Sequence, residues 1–369
     1  MWAKRQSVCQ QKNQYLFHVD RAFDPAVINK LTNCALTLWG TQRPKAKQWD
    51  TQSVKNHIYI YSPSSAVRDK ASFKRGVKRL EFLGYEVEID EAALATHQRF
   101  AGDDDTRLAA IHRAAASGAD VALISRGGYG LTRILPRINY KAVAKAIAKG
   151  TQFVGLSDFT AFQTALLAQT GAVTWAGPAL GEDFGTEAPP DDIMEACFED
   201  LITGQGEGTG WQLPKVAIKS TAIEDAPIGA TAKFSIKDAM LWGGNLAILS
   251  SLVGTPYLPV VKGGILFLED VGEHPYRVER MLTQLLHAGV LAQQKAVIFG
   301  QFTNYKLVPH DKGFKLAAVV AWLRRQIKAR VLTGLPFGHV ATKVLLPVGH
   351  QTTLAVEGRD AFLLWGHQH

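Results

Sequence analysis

Short apolar runs alternate with helix-length amphipathic segments from His57 onward. HIYIYSPSS predicts a strand that stops at a Ser-Pro turn, and residues 69–83 follow at helical spacing. YEVEID predicts the next strand and 104–117 a helix with Leu108, Ile111 and Ala115 on one face. ADVALIS predicts a buried strand ended by Arg126-Gly127-Gly128. Strands separated by helices of about 12–15 residues build parallel βαβ units. The expectation is an α/β fold in which residues 56–185 form an N-terminal open parallel-sheet domain carrying a nucleophile-elbow serine. Sites in such sheets lie at the carboxyl ends of strands.

The rhythm breaks over 186–229, where Pro189-Pro190, GQGEGTG and short polar turns predict a linker and the start of a second unit. Beyond it come WGGNLAILSSLVG, the strand GGILFLED, a helix over 276–287, the strand KAVIFGQF and a helix around 314–328. VLTGLPFGH and two short strands, KVLLPV and TTLAVEG, close the chain. Residues 230–369 thus read as a smaller mixed α/β C-terminal domain. There is no internal repeat and no low-complexity tract.

Length and composition change this picture little. The 369 residues, 47% hydrophobic and 20% charged, suit two cores and exclude a disordered chain or a disulfide scaffold. No apolar run approaches the ~18–20 residues that span a bilayer, and MWAKRQSVCQ leads into polar residues, so the expected location is the cytoplasm, without membrane contact. Cys9, Cys34 and Cys197 lack any metal or CxxC spacing, which predicts reduced thiols and no metal site.

Charge is unevenly spread. Residues 1–55 hold nine Lys/Arg against three Asp, a net of +6 that leaves only +2 of the chain's +8 for the rest. A nearly neutral body with a basic extension does not suit a protein built around a phosphate backbone, so no nucleic-acid partner is expected. The extension reads as loosely ordered and without part in the chemistry, with an RNA-touching arm or a targeting segment as the alternatives.

The segment QFVGLSDFTAFQTALLAQTG places an apolar strand before Gly155-Leu156-Ser157-Asp158 and a helix ending at Gly171. A serine on such a turn is exposed, and the helix N-terminus aims free N–H groups at a developing oxyanion. It serves equally as a helix N-cap. Arg126-Gly127-Gly128-Tyr129-Gly130 follows ADVALIS, where paired glycines let backbone approach a ligand or point an N–H into a site. As a dinucleotide fingerprint it needs a third glycine where Arg133 stands. For a base, His339 in Pro336-Phe337-Gly338-His339 lies in a loop suited to a cleft, while His274 and His287 suit a charged turn and a helix. For the orienting acid, Glu269 ends the run ILFL, with Asp270 and Glu273 also open.

SRGGYG with LTRILPRINY, GLSDFTA, WAGPAL, LWGGNLAILSSLVGTPY, GILFLEDVGEHPYRVERMLTQL and LPFGH…LPVG together resemble the serine LD-carboxypeptidase family, in order over about 57–350. The resemblance implies a catalytic Ser157–His339–Glu269 triad split between two domains, with an oxyanion hole from the backbone N–H groups of Gly128 and Asp158. It implies release of the terminal D-alanine from murein tetrapeptide in peptidoglycan recycling, with no cofactor and commonly as a homodimer. Cleavage of microcin-like peptide–nucleotide adducts is the alternative within the same family. Arg126 is a candidate for binding a substrate carboxylate. Two departures stand out: Leu156, where the family often has an aromatic residue or histidine, and the extension 1–55, which has no recognisable counterpart.

Overall fold

A computed structural model of the protein describes residues 56–214 and 233–366. The basic extension 1–55 and residues 215–229 of the proposed linker lie outside the described residues.

The first sheet contains β1 (His57–Tyr61), β2 (Glu86–Ile89), β3 (Val121–Ile124), β4 (Gln152–Gly155) and β5 (Thr174–Ala176) in the order β5-β4-β3-β1-β2, all parallel. The strand VALI of β3 is buried at every position, as a parallel strand covered on both faces must be. Helices α1 (Lys70–Phe82), α2 (Asp104–Ala116), α3 (Tyr140–Ala148) and α4 (Phe159–Thr170) connect these strands. Asp69 caps α1 by accepting from the N–H groups of Ala71 and Ser72 at 2.8 and 3.0 Å, and Phe73, Val77 and Leu80 form its buried stripe. In α2 the fully buried residues are Arg107, Leu108, Ala110, Ile111 and Ala114, Ala115 packs partly buried against the same core, and a guanidinium joins it.

The region read as polar turns contains α5 (Asp192–Thr203), capped by Asp191 and stopped by Gly204, and β6 (Gly208–Gln212). Its Met194, Phe198 and Leu201 repeat at helical spacing and are buried.

The second sheet has the order β10-β9-β8-β7-β12-β13-β6. It comprises β7 (Lys233–Asn245), β8 (Ile265–Val271), β9 (Ala296–Thr303), β10 (Arg330–Thr333), β12 (Gln351–Glu357) and β13 (Asp360–Leu364) besides β6. Strands β10-β9-β8-β7 are parallel, and β7-β12-β13-β6 antiparallel. Helices α6 (Leu246–Ser251), α7 (Pro275–His287) and α8 (Leu316–Gln326) belong to this part. The strand β11 (Leu346–Val348), part of KVLLPV, does not stay with the second half: it pairs antiparallel with β5 and closes the edge of the first sheet. A three-residue apolar strand finds its ladder wherever an edge is free, which alternation alone does not reveal.

Helix α4 is buried at every residue from Phe159 to Leu167, and the buried apolar residues of both sheets join with it in one cluster. Among the described residues no helix is long and apolar enough to cross a membrane.

Candidate active site

Between the end of β4 and the start of α4, Ser157 has φ +65°, one of five non-glycine residues at positive φ among those described. This left-handed backbone costs a side-chain-bearing residue about 1–2 kcal/mol, and the turn holds it there. Hydrogen bonds from Phe159 N–H to Leu156 O (3.2 Å) and from Thr160 N–H to Ser157 O (2.9 Å) close the elbow. The turn after β3 lies directly against it, since a Cβ on Gly127 would stand 2.6 Å from Ser157 Cβ and 2.9 Å from Oγ. Only glycine allows that approach.

Glu269 sits in β8 with no exposed surface. Its Oε2 meets His339 Nδ1 at 2.8 Å, and its Oε1 accepts from Asn245 Nδ2 at 3.2 Å. Asn245 is its register partner on β7. On the other side β9 carries one extra residue between the pairs Leu268–Phe299 and Asp270–Phe302. Such bulges re-aim side chains beside sites. Next to the bulge, Gln301 anchors the histidine loop: its backbone N–H donates to Phe337 O at 2.8 Å and its side-chain amide to Leu335 O at 2.9 Å.

The far side of that loop is tied to the other half of the molecule. Lys343 Nζ and Asp183 Oδ1 form a buried ion pair at 2.6 Å, and Thr342 Oγ1 donates to Asp191 Oδ2 at 2.7 Å. Asp183 belongs to a π-helical turn, Leu180–Phe184, whose neighbouring residue Glu182 lies 3.9 Å from Arg126 Nη2. Burial lowers the pKa of His339, but the hydrogen bond and charge of Glu269, helped by the charge of Glu182 and opposed by Lys343, raise it above the ordinary value overall.

The other candidates fall elsewhere. Asp270 accepts from Asn245 Nδ2 at 3.2 Å, from Val271 N–H at 2.8 Å and from Ala247 N–H at 2.9 Å, so it secures the start of α6. Burial, followed by the charge of Glu269, pushes its carboxyl up to about 6. Glu273 faces Arg277 at 3.8 Å, His274 pairs with Asp311 at 3.1 Å, and His287 is exposed at the end of α7. The structure therefore joins Glu269 to His339 and sets Ser157 beneath the Arg126-Gly127-Gly128 turn. No hydrogen bond links Ser157 to His339 among the described residues. Catalytic contacts are often longer before substrate binds.

Arg126 is largely buried, donates from Nη1 to Ala66 O at 3.1 Å, and has its pKa lowered by burial, with Glu182 opposing and Arg68 and Arg99 adding to the shift. Asn245 was not singled out in the sequence. It caps α6 through Oδ1 (Ile248 N–H, 3.1 Å), and its own N–H donates to Thr160 Oγ1 at 3.0 Å on the elbow helix. The signal was available: an asparagine directly before an apolar helical run marks an N-cap. No group of three or more His, Cys, Asp or Glu among the described residues could hold a metal ion.

Residues 58–177 match the model of the LD-carboxypeptidase N-terminal domain and residues 238–354 that of the LD-carboxypeptidase C-terminal domain. The chain is similar to the murein tetrapeptide carboxypeptidase of Pseudomonas aeruginosa, at 27% identity over 85% of this chain and 97% of the relative. It is also similar to an Escherichia coli microcin self-immunity protein, at 25% identity over 82% of this chain and 91% of that one. The crystal structure of muramoyltetrapeptide carboxypeptidase from Oxalobacter formigenes superposes with a TM-score of 0.73 at 36% identity, covering 84% of this chain and 99% of that one. Two family halves in the right order, and a likeness to a solved muramoyltetrapeptide carboxypeptidase that runs over most of both chains, make this chain a member of the LD-carboxypeptidase family and a serine-type carboxypeptidase.

Proposed function

We propose that the protein releases the C-terminal D-alanine of murein tetrapeptide by acyl transfer through Ser157, with His339 as base and Glu269 as its orienting acid. The observation that carries this reading is the 2.8 Å contact between His339 Nδ1 and a fully buried Glu269. A proton on Nδ1 is fixed by that contact, which leaves Nε2 as the basic nitrogen. His339 Nε2 takes the Ser157 proton as Oγ attacks the carbonyl joining the diamino acid to D-alanine. The tetrahedral oxyanion is met by the backbone N–H groups of Gly128 and Asp158. Collapse returns the proton to the leaving amine, D-alanine departs, and water repeats the sequence on the acyl-enzyme.

Each oxyanion donor contributes ~3–4 kcal/mol in comparable sites. Arg126, held beside Gly128 with one N–H on Ala66 O and a loose contact to Glu182, is assigned to the substrate's terminal carboxylate. Action in the cytoplasm, a role in peptidoglycan recycling and homodimer assembly belong to the same reading and rest on the family resemblance; light scattering tests the assembly.

Murein tetrapeptide ending in D-alanine and its diastereomer ending in L-alanine distinguish this activity from general peptidase action. Inverting the last centre moves the carboxylate away from Arg126, at a cost of ~3 kcal/mol or about a hundredfold in kcat/KM. Equal kcat/KM for the two peptides contradicts the reading.

A further inference from the structure

The residue after the nucleophile does not cap its own helix. Asp158 stands at the N-cap of α4 without a side-chain hydrogen bond to that helix, and it has no exposed surface. Its Oδ2 accepts instead from Ser64 Oγ at 2.8 Å and from Leu131 N–H at 2.9 Å. Arg107, from the buried face of α2, reaches the same two turns with no exposed surface of its own. Its Nη1 donates to Gly130 O at 2.7 Å and to Pro63 O at 3.3 Å.

The Gly130–Leu131 peptide is therefore held at both ends, its carbonyl by a buried guanidinium and its N–H by a buried carboxylate. The turn after β1 is held in the same way, at Pro63 O and at the Ser64 hydroxyl. Arg107 is itself fixed by Asp104, and the ring of Phe100 lies 4.8 Å from its guanidinium carbon. A side chain on Gly130 would enter this guanidinium, since its Cβ would stand 2.6 Å from Nη1.

The arrangement is expensive. Asp158 Oδ1 and Arg107 Nε are buried without a partner among the described residues. Orphaned buried polar atoms destabilise a fold and call for a reason. Burial also pushes the Asp158 carboxyl up to about 6, against the pull of the Leu131 N–H, the Ser64 hydroxyl and the Arg107 charge. A structural role alone is met more cheaply by apolar residues of the same volume.

We infer that Arg107 and Asp158 are positioning residues that clamp the turn carrying Gly128 against the nucleophile elbow and so set the oxyanion hole. The inference rests on the acyl-transfer reading of the site. Asp158 is covalently next to Ser157, and its carboxylate grips the turn three residues beyond Gly128. The elbow and the donor turn thereby move as one body. Neither side chain touches substrate; both act through backbone.

The full-length chain and its Arg107→Met, Arg107→Lys and Asp158→Asn variants test this. Two rates are read: phosphonylation of Ser157 by a fluorophosphonate probe, and D-alanine release from murein tetrapeptide. For folded Arg107→Met and Asp158→Asn, both the phosphonylation rate and kcat should fall at least thirtyfold. KM should stay within threefold and the acid limb of the pH profile, set by His339, should not move. Arg107→Lys, which keeps a charge and a donor, should recover at least fivefold of the loss. Phosphonylation within threefold of wild type in either folded variant, or a raised KM with kcat kept, overturns the inference. If Arg107→Met does not fold, the volume-conserving Asp158→Asn decides. If neither folds, the pair is structural and the positioning role is refuted. A wild-type chain that is phosphonylated but releases no D-alanine overturns the substrate reading and leaves the phosphonylation rates to judge the clamp. A chain that does neither overturns both.

Discussion

Glu269 and His339 are seventy residues apart and meet at 2.8 Å because a bulge in β9 opposite Glu269 also places Gln301 where it grips the histidine loop. The carboxylate is fully buried and its second oxygen is taken by Asn245, so the group that holds the imidazole is itself held. On the proposed acyl-transfer reading, this pair is the acid–base half of the site, built before substrate arrives.

Replacing Ser157 with Ala or Gly should lower kcat by several orders of magnitude while circular dichroism stays unchanged. At φ +65° the glycine variant relieves backbone strain and should be about 1 kcal/mol more stable than the alanine variant in urea unfolding. Retained D-alanine release by either variant contradicts the nucleophile assignment.

With His339 as the proposed base its neutral imidazole is the active form, and its pKa is raised, so kcat/KM should fall as pH drops through a value above the ordinary one for histidine. Glu182→Gln removes a charge that raises it and should move the acid limb down; Lys343→Met should move it up. Stability follows the opposite course. The charged His339–Glu269 pair contributes fully below the unfolded histidine pKa of ~6.5 and is lost as pH rises through the folded value. Proton-linked unfolding and a pH–rate profile on the same variants measure both.

Asn245→Ala removes the cap of α6 and the bond to Glu269 together. A cost of about 1–3 kcal/mol is expected, with a lowered kcat and KM nearly unchanged, because the loss falls on the orientation of His339. Chemical denaturation and steady-state kinetics separate the two effects, and an unchanged kcat would remove Asn245 from the support of the site.

With no metal-holding cluster among the described residues, D-alanine release should survive prolonged dialysis against EDTA. Loss of activity that added zinc restores would contradict a purely serine-based mechanism.

Much of the first sheet was legible in the chain. HIYIY and VALI are apolar runs between turn signals, and the strand, Ser157 and helix follow one another within a single segment. The proposed acid and base were not fixed by local sequence. Asp270 and Glu273 stand beside Glu269 in sequence, and only the family resemblance singled out Glu269, because a strand end does not state which carboxylate a distant loop will meet. The placement of β11 depended on a free sheet edge, and α5 was hidden among acidic and Pro-rich neighbours although its Met194–Phe198–Leu201 spacing was present. Arg107 escaped because periodicity counts an arginine as outward-facing, whereas here two turns supply carbonyls to receive it.

Peptide mapping of a rapidly quenched reaction with murein tetrapeptide reads the covalent intermediate itself. A tripeptide acyl group on Ser157 is expected, formed together with one equivalent of D-alanine and absent from Ser157→Ala. Release of D-alanine without that adduct, or an adduct on another residue, would contradict it.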